Sequence, residues 1–140
     1  MMLKEPVPDG VDVKPSLIPG AGLGAFATKD ILPGTFLGHY MGLLMTEEES
    51  EQHPGTDAYF MQCQVGKSVM IIDAFPLEHA SWTRFINCSR TRQQENVHPR
   101  DCGNGIVKIY SCKHIRAGTE LLFYYGPAYA KSLFSLNTGS

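Results

Sequence analysis

Asn87 lies in an otherwise apolar stretch, Phe85-Ile86-Asn87-Cys88, and its side chain carries a carbonyl and an amide that both need partners when buried. Such a group can pin a loop, or it can recognise a purine edge or an ammonium. Upstream, Pro19-Gly20-Ala21-Gly22-Leu23-Gly24 is a turn-rich run. Its Gly22-x-Gly24 portion suits a tight turn whose bare backbone can approach a ligand. The third glycine and long following helix of a dinucleotide fingerprint are missing, so taken alone it favours a plain turn. Tyr124 and Tyr125 are adjacent on a predicted strand, Leu121 to Tyr125. They therefore point to opposite faces, one toward the core and the other free to line a cavity. Asp73-Ala74 ends a strand ahead of a loop and offers no chemistry by itself.

Several other chemistries lack support. There is no Ser–His–Asp order and no metal cluster in the sequence, which argues against a hydrolase or metalloenzyme. His39, His53, His79, His98 and His114 show no metal-ligand spacing and are expected on the surface or in loops. Cys63, Cys88, Cys102 and Cys112 form no CxxC pair, which removes zinc-ribbon and thioredoxin readings. Reduced thiols in a cytosolic or nuclear protein are the expectation. The 12 Lys+Arg against 14 Asp+Glu leave a formal net charge of −2. With no basic run, direct nucleic-acid binding is not expected, and weak acidity suits a basic partner. No apolar run approaches the ~20 residues that cross a bilayer, and the first residues lack the apolar core of a secretory signal.

These residues must be positioned by short elements. The 140 residues suit one domain. Such a chain buries roughly 68–70% of its unfolded surface, so a single core suffices without metal or disulfide staples. The 14 Gly and 9 Pro cut it into short pieces, with residues 1–15 forming an arm or edge strand. Strands are predicted over Thr35 to Met41, Tyr59 to Gln64, Ser68 to Asp73, Ile106 to Cys112 and Leu121 to Tyr125. The second and third of these make a hairpin around Gly66-Lys67. Thr46-Glu47-Glu48-Glu49 has capping-box spacing and predicts a short helix ending by Pro54-Gly55. A second short helix is predicted over Glu78 to Ile86. Ala128 to Phe134 suits one or two closing helical turns. Many short strands with Gly/Pro turns indicate a mainly β fold of small sheets.

Four segments in this order resemble the SET-domain protein-lysine methyltransferases, from Ser16 to Tyr129. Pro19 to Gly24 resembles the opening glycine-containing motif, and Ile72-Asp73-Ala74 the short strand before the active-site segment. Arg84-Phe85-Ile86-Asn87 resembles the central Arg-Phe-Ile-Asn-His-Ser motif. Glu120-Leu121-Leu122-Phe123-Tyr124-Tyr125-Gly126 resembles the closing Glu-Leu-x-Phe-x-Tyr-Gly motif. Cys88 stands where the common motif has His, Arg90 where it has Cys, and Asn96 lies nine residues beyond Asn87. Those departures are similar to the PR subclass of SET domains.

The resemblance implies a SET fold of several short curved sheets, few short helices and a knot-like C-terminal segment. It divides the chain into an arm (1–15), a PR-type domain (16–129) and a tail closing the site (130–140). It also implies S-adenosyl-L-methionine as methyl donor and a lysine of a basic protein, such as a histone tail, as acceptor, hence a nuclear location. Ala21, Gly22, Leu23, Asn87, Cys88 and Tyr125 would hold the donor. Tyr125 aligns with the catalytic tyrosine, with Tyr59 beside it, and Tyr59, Phe123 and Tyr129 would line the lysine channel. Tyr129 and Phe134 could close that channel or simply pack. Phe123, rather than Tyr, suits di- or trimethylation in the family. Glu47 to Glu51 is an acidic wall for a basic tail or, more simply, a solvated helix face. Two functions follow. Asn87, Tyr125 and Gly22-x-Gly24 favour an active methyltransferase. Cys88 and the polar loop Arg90 to Glu95 favour a weakly active or inactive PR-type interaction module.

Overall fold

The structure, a computed structural model, describes residues 3–52 and 59–124. Among the described residues, ten strands form four small sheets. Strands β1 (Val11–Pro15) and β2 (Leu23–Ala27) pair antiparallel, so the arm's end is an edge strand that fixes both flanks of the glycine-rich turn. One three-stranded sheet has the order β4-β6-β5, from β4 (Leu43–Thr46), β5 (Phe60–Val65) and β6 (Ser68–Asp73). A second has the order β3-β9-β8, from β3 (Phe36–His39), β8 (Val97–Asp101) and β9 (Val107–Ser111). The last joins β7 (Asn87–Cys88) to β10 (Leu122–Phe123) in parallel.

Local sequence accounts for much of this. In β5, Met61 and Cys63 point inward while Gln62 and Gln64 face solvent, the period-two alternation of a half-buried strand. Val107, Ile109 and Ser111 do the same in β9. In β6, the central strand of its sheet, Ile71, Ile72 and Asp73 are buried in succession. Val65 pairs with Ser68 across Gly66-Lys67, so the predicted hairpin forms. The helix α1 (Glu47–Ser50) starts with the expected capping box. The Thr46 hydroxyl accepts from Glu49 N at 3.1 Å, and the Glu49 carboxylate accepts from Thr46 N at 2.9 Å.

The helix expected over Glu78 to Ile86 is instead two 3-10 turns, Leu77–His79 and Trp82–Phe85. Ala80 and Ser81 between them are extended. Both the Ser81 and Thr83 hydroxyls donate to the His39 carbonyl, and that long-range demand breaks the helix. Trp82 is thereby driven into the core with Val97, Ile109, Ile115, Leu121 and Phe123. Strands β2, β4, β7 and β8 have no counterpart among the strands predicted from sequence. β8 contains Pro99, which an edge position of the β3-β9-β8 sheet tolerates. No helix among the described residues is long and apolar enough to cross a membrane.

Candidate functional site

The central segment Trp82 to Ser89 is the joint of the molecule. Arg84 donates from Nε to the Ala74 carbonyl at 2.8 Å and from Nη2 to the Phe75 carbonyl at 3.0 Å. Its guanidinium also lies 4.5 Å from the Tyr59 ring centroid, a cation–π contact. Asp73-Ala74 thus acquires a role that its own chemistry did not suggest: it receives the central motif's arginine. Asn87 donates from Nδ2 to the Leu23 carbonyl at 3.0 Å, which fastens the glycine-rich turn to the central motif. Beyond it, Leu122 pairs with Asn87 and Phe123 with Cys88, while Ser89 N donates to the Phe123 carbonyl at 2.7 Å.

Gly22 has φ +75° in this turn, a left-handed conformation open to glycine at little cost. A Cβ placed there would meet nothing within 4 Å, so the turn's outer side is open. Leu23 is exposed and Asn87 half-buried beside it. Burial pushes the Cys88 thiol up to about 12. It is a neutral thiol at physiological pH, and the atoms it can offer a ligand with strength are its backbone N–H and carbonyl.

Tyr40, which sequence reading did not single out, connects the remaining residues. Its hydroxyl donates to the Tyr59 carbonyl at 2.7 Å, and its ring meets Phe123 edge-on at 6.2 Å. Phe123 is fully buried; Tyr59 is half-buried and stacks edge-on with Phe75 at 5.6 Å. A continuous path of contacts therefore runs from Leu23 through Asn87, Cys88, Phe123 and Tyr40 to Tyr59. Tyr125, Tyr129, Phe134 and the tail 130–140 lie outside the described residues, as do His53 and Pro54-Gly55.

Glu120 opens the closing motif, but its bonding role is not legible in the sequence. Its buried carboxylate accepts from Ser16 Oγ at 2.7 Å, from Leu17 N at 3.0 Å and from Asn87 Nδ2 at 3.2 Å. Its carbonyl accepts from Asn96 Nδ2 at 2.9 Å, and Asn96 Oδ1 accepts from Leu122 N at 2.8 Å. One glutamate thus holds both entry to the glycine turn and the orientation of Asn87. A charged residue flanking an apolar strand has no local signature of such a role. His39, expected at a surface or in a loop, lies on β3, its ring 2.8 Å from Glu5.

The family model described as the PR domain of PR domain zinc finger protein 2 matches residues 11–135. Human histone-lysine N-methyltransferase PRDM7 is 30% identical over 129 residues, 91% of this chain and 25% of that protein. The methyltransferase domain of human PR domain-containing protein 2 superposes with a TM-score of 0.73 at 27% identity, over 86% of this chain and 80% of that one. A structure of ctPRC2 in an autoinhibited conformation bound to S-adenosylmethionine superposes with a TM-score of 0.68 at 26% identity, over 92% of this chain and 17% of that one. The chain spans less than half the length of the curated relatives it matches. Four small sheets in the SET-like arrangement of these neighbours and a family model covering most of the sequence together make the chain a member of the PR-domain family of SET-domain proteins.

Proposed function

We propose that the chain is an S-adenosylmethionine-dependent protein-lysine methyltransferase acting on a lysine in a basic segment such as a histone tail, and so in the nucleus. The observation that carries this is the Asn87 amide on the Leu23 carbonyl at 3.0 Å, which joins the open glycine turn to the central motif. S-adenosylmethionine supplies an activated methyl group on a sulfonium; a SET-fold neighbour is described as bound to it. The donor set suits that molecule: backbone groups of Ala21, Gly22 and Leu23, the amide of Asn87, and the backbone of Cys88. Glu120 holds Asn87 in place, so the amide's orientation is set before any ligand arrives.

The acceptor lysine must be neutral to attack, whereas a free lysine has a pKa near ~10.4. The aromatic surroundings of Tyr59, Phe75, Tyr40 and Phe123 favour the neutral amine by withholding water from the ammonium. Tyr125 orients that amine through its hydroxyl, Tyr59 and Tyr129 line its approach, and alignment supplies much of the acceleration. Phe123 in place of a second hydroxyl leaves room for di- or trimethylation. A peptide array with labelled donor tests this: the chain labels lysine peptides, and Tyr125→Phe keeps the fold but loses most turnover. Unchanged labelling by Tyr125→Phe, or only monomethyl product by mass spectrometry under excess enzyme, contradicts the respective assignment.

A second reading rests on Cys88. A thiol pushed up to about 12 is a poor hydrogen-bond donor in place of the common motif's imidazole. On that reading the domain keeps the fold as an interaction module with weak or no transfer, and the same array stays blank.

A further inference from the structure

Glu95, His98 and Cys112 are scattered in sequence but meet in space. Glu95 follows the 3-10 turn Arg92–Gln94, His98 is the second residue of β8, and Cys112 follows β9. The pairing of Val97 with Ser111 and of His98 with Tyr110 continues by one step, with Cys112 N donating to the Asn96 carbonyl at 2.9 Å. Alternation then puts His98 and Cys112 on the same sheet face as diagonal neighbours. Glu95 Oε2 stands 3.1 Å from His98 Nδ1. One carboxylate oxygen, one imidazole nitrogen and one sulfur all lie within 4.8 Å of one another. It is the one such cluster among the described residues.

We propose that Glu95 Oε2, His98 Nδ1 and Cys112 Sγ form a zinc site, with water at the fourth position. Bonds of about 2.0–2.3 Å in a tetrahedron separate its ligand atoms by roughly 3.3–3.8 Å. All three ligand atoms lie within 4.8 Å of one another, with Glu95 and His98 at 3.1 Å, so closure needs shifts of at most about 1.5 Å between any pair, to which rotation of the exposed His98 side chain contributes. Sulfur and imidazole donors select zinc over magnesium or calcium. The Glu95 side chain is only 9% exposed while that of His98 is 53% exposed, so the site is buried on the carboxylate side and opens to solvent on the imidazole side. On binding, Cys112 releases its thiol proton to solvent and ligates as thiolate.

The position gives the ion a purpose. Asn96, between Glu95 and β8, holds the Glu120 carbonyl and Leu122 N. An ion tying Glu95 to His98 and Cys112 would therefore brace the crossing of β8, β9 and β10 beneath Asn87. This inference does not depend on any methyl transfer.

The test is a titration of the chelator-stripped full chain with zinc against a chromophoric chelator, and with cobalt by absorption. One equivalent should bind, with a thiolate-to-cobalt charge-transfer band and a raised Tm. Cys112→Ser should abolish the band, and His98→Ala should weaken zinc binding by about tenfold or more. Cys102→Ser, at an exposed cysteine on the β8–β9 connection, should leave both unchanged. Failure of the folded wild-type chain to compete for zinc, a band that survives Cys112→Ser, or unaltered affinity in His98→Ala overturns the proposal.

Discussion

Replacing Glu120 tests whether a single carboxylate organises the glycine turn and Asn87. Glu120→Gln keeps the volume but turns one acceptor oxygen into a donor facing donors. The carboxylate accepts three bonds, from Ser16 Oγ, Leu17 N and Asn87 Nδ2. Bonds to a charged group contribute about 1.5–3 kcal/mol each. Ser16 and Asn87 are part-buried, so water recovers some of the loss and the lower end applies. One to two bonds lost gives about 1.5–3 kcal/mol. With urea m-values of about 1–3 kcal/mol/M, the unfolding midpoint falls by roughly 0.5–3 M. Gly24→Ala attacks the same point from the other side. Its Cβ would collide with the Glu120 carboxylate and sit 3.2 Å from Ser16 Cβ, so it should be costly alone and cheaper on Glu120→Ala, where the space is vacated. That coupling should exceed about 0.5 kcal/mol in a double-mutant cycle. A midpoint shift below roughly 0.3 M for Glu120→Gln, or strict additivity of the pair, would refute the reasoning.

Two further outcomes are expected. With its thiol pushed up from an ordinary 9.0 to about 12, Cys88 holds roughly a thousandfold less thiolate at neutral pH than an ordinary thiol. Iodoacetamide followed by peptide mass spectrometry should mark exposed Cys102 well before Cys88, and equal labelling rates would contradict the burial argument. The Ala117 N–H donates to Asp30 Oδ1 at 2.9 Å and, with help from His114 and Arg116, holds that carboxyl below its ordinary 3.8. A depressed folded value adds stability above the unfolded value, lost as pH falls through the folded one. The Tm advantage of wild type over Asp30→Asn should therefore shrink as pH falls below about 4; a gap independent of pH counts against it.

What was legible in the sequence was what local rules govern. The capping box at Thr46 and Glu49, the Gly66-Lys67 hairpin and the alternating strand at Val107 to Ser111 all depend on neighbours a few residues apart. The four motifs fixed the family because their order carries information that no single one does. The hidden parts are contacts between distant segments. Glu120 reaches Ser16 across 104 positions, Tyr40 reaches Tyr59 through one hydroxyl, and Ser81 and Thr83 break a predicted helix to satisfy His39. Strand β8 escaped notice because only Val97 of its five residues is buried, and a strand recruited by its partner's hydrogen bonds leaves little apolar pattern.

Calorimetric titration of the folded chain with S-adenosylmethionine tests the central claim, a methyl-donor cleft built on Leu23 and Asn87. One site with a Kd below about 1 mM, weakened at least tenfold by Asn87→Ala, is the predicted result. A folded wild-type chain that gives no heat at that concentration, or an Asn87→Ala variant that binds the donor as tightly as wild type, would contradict it.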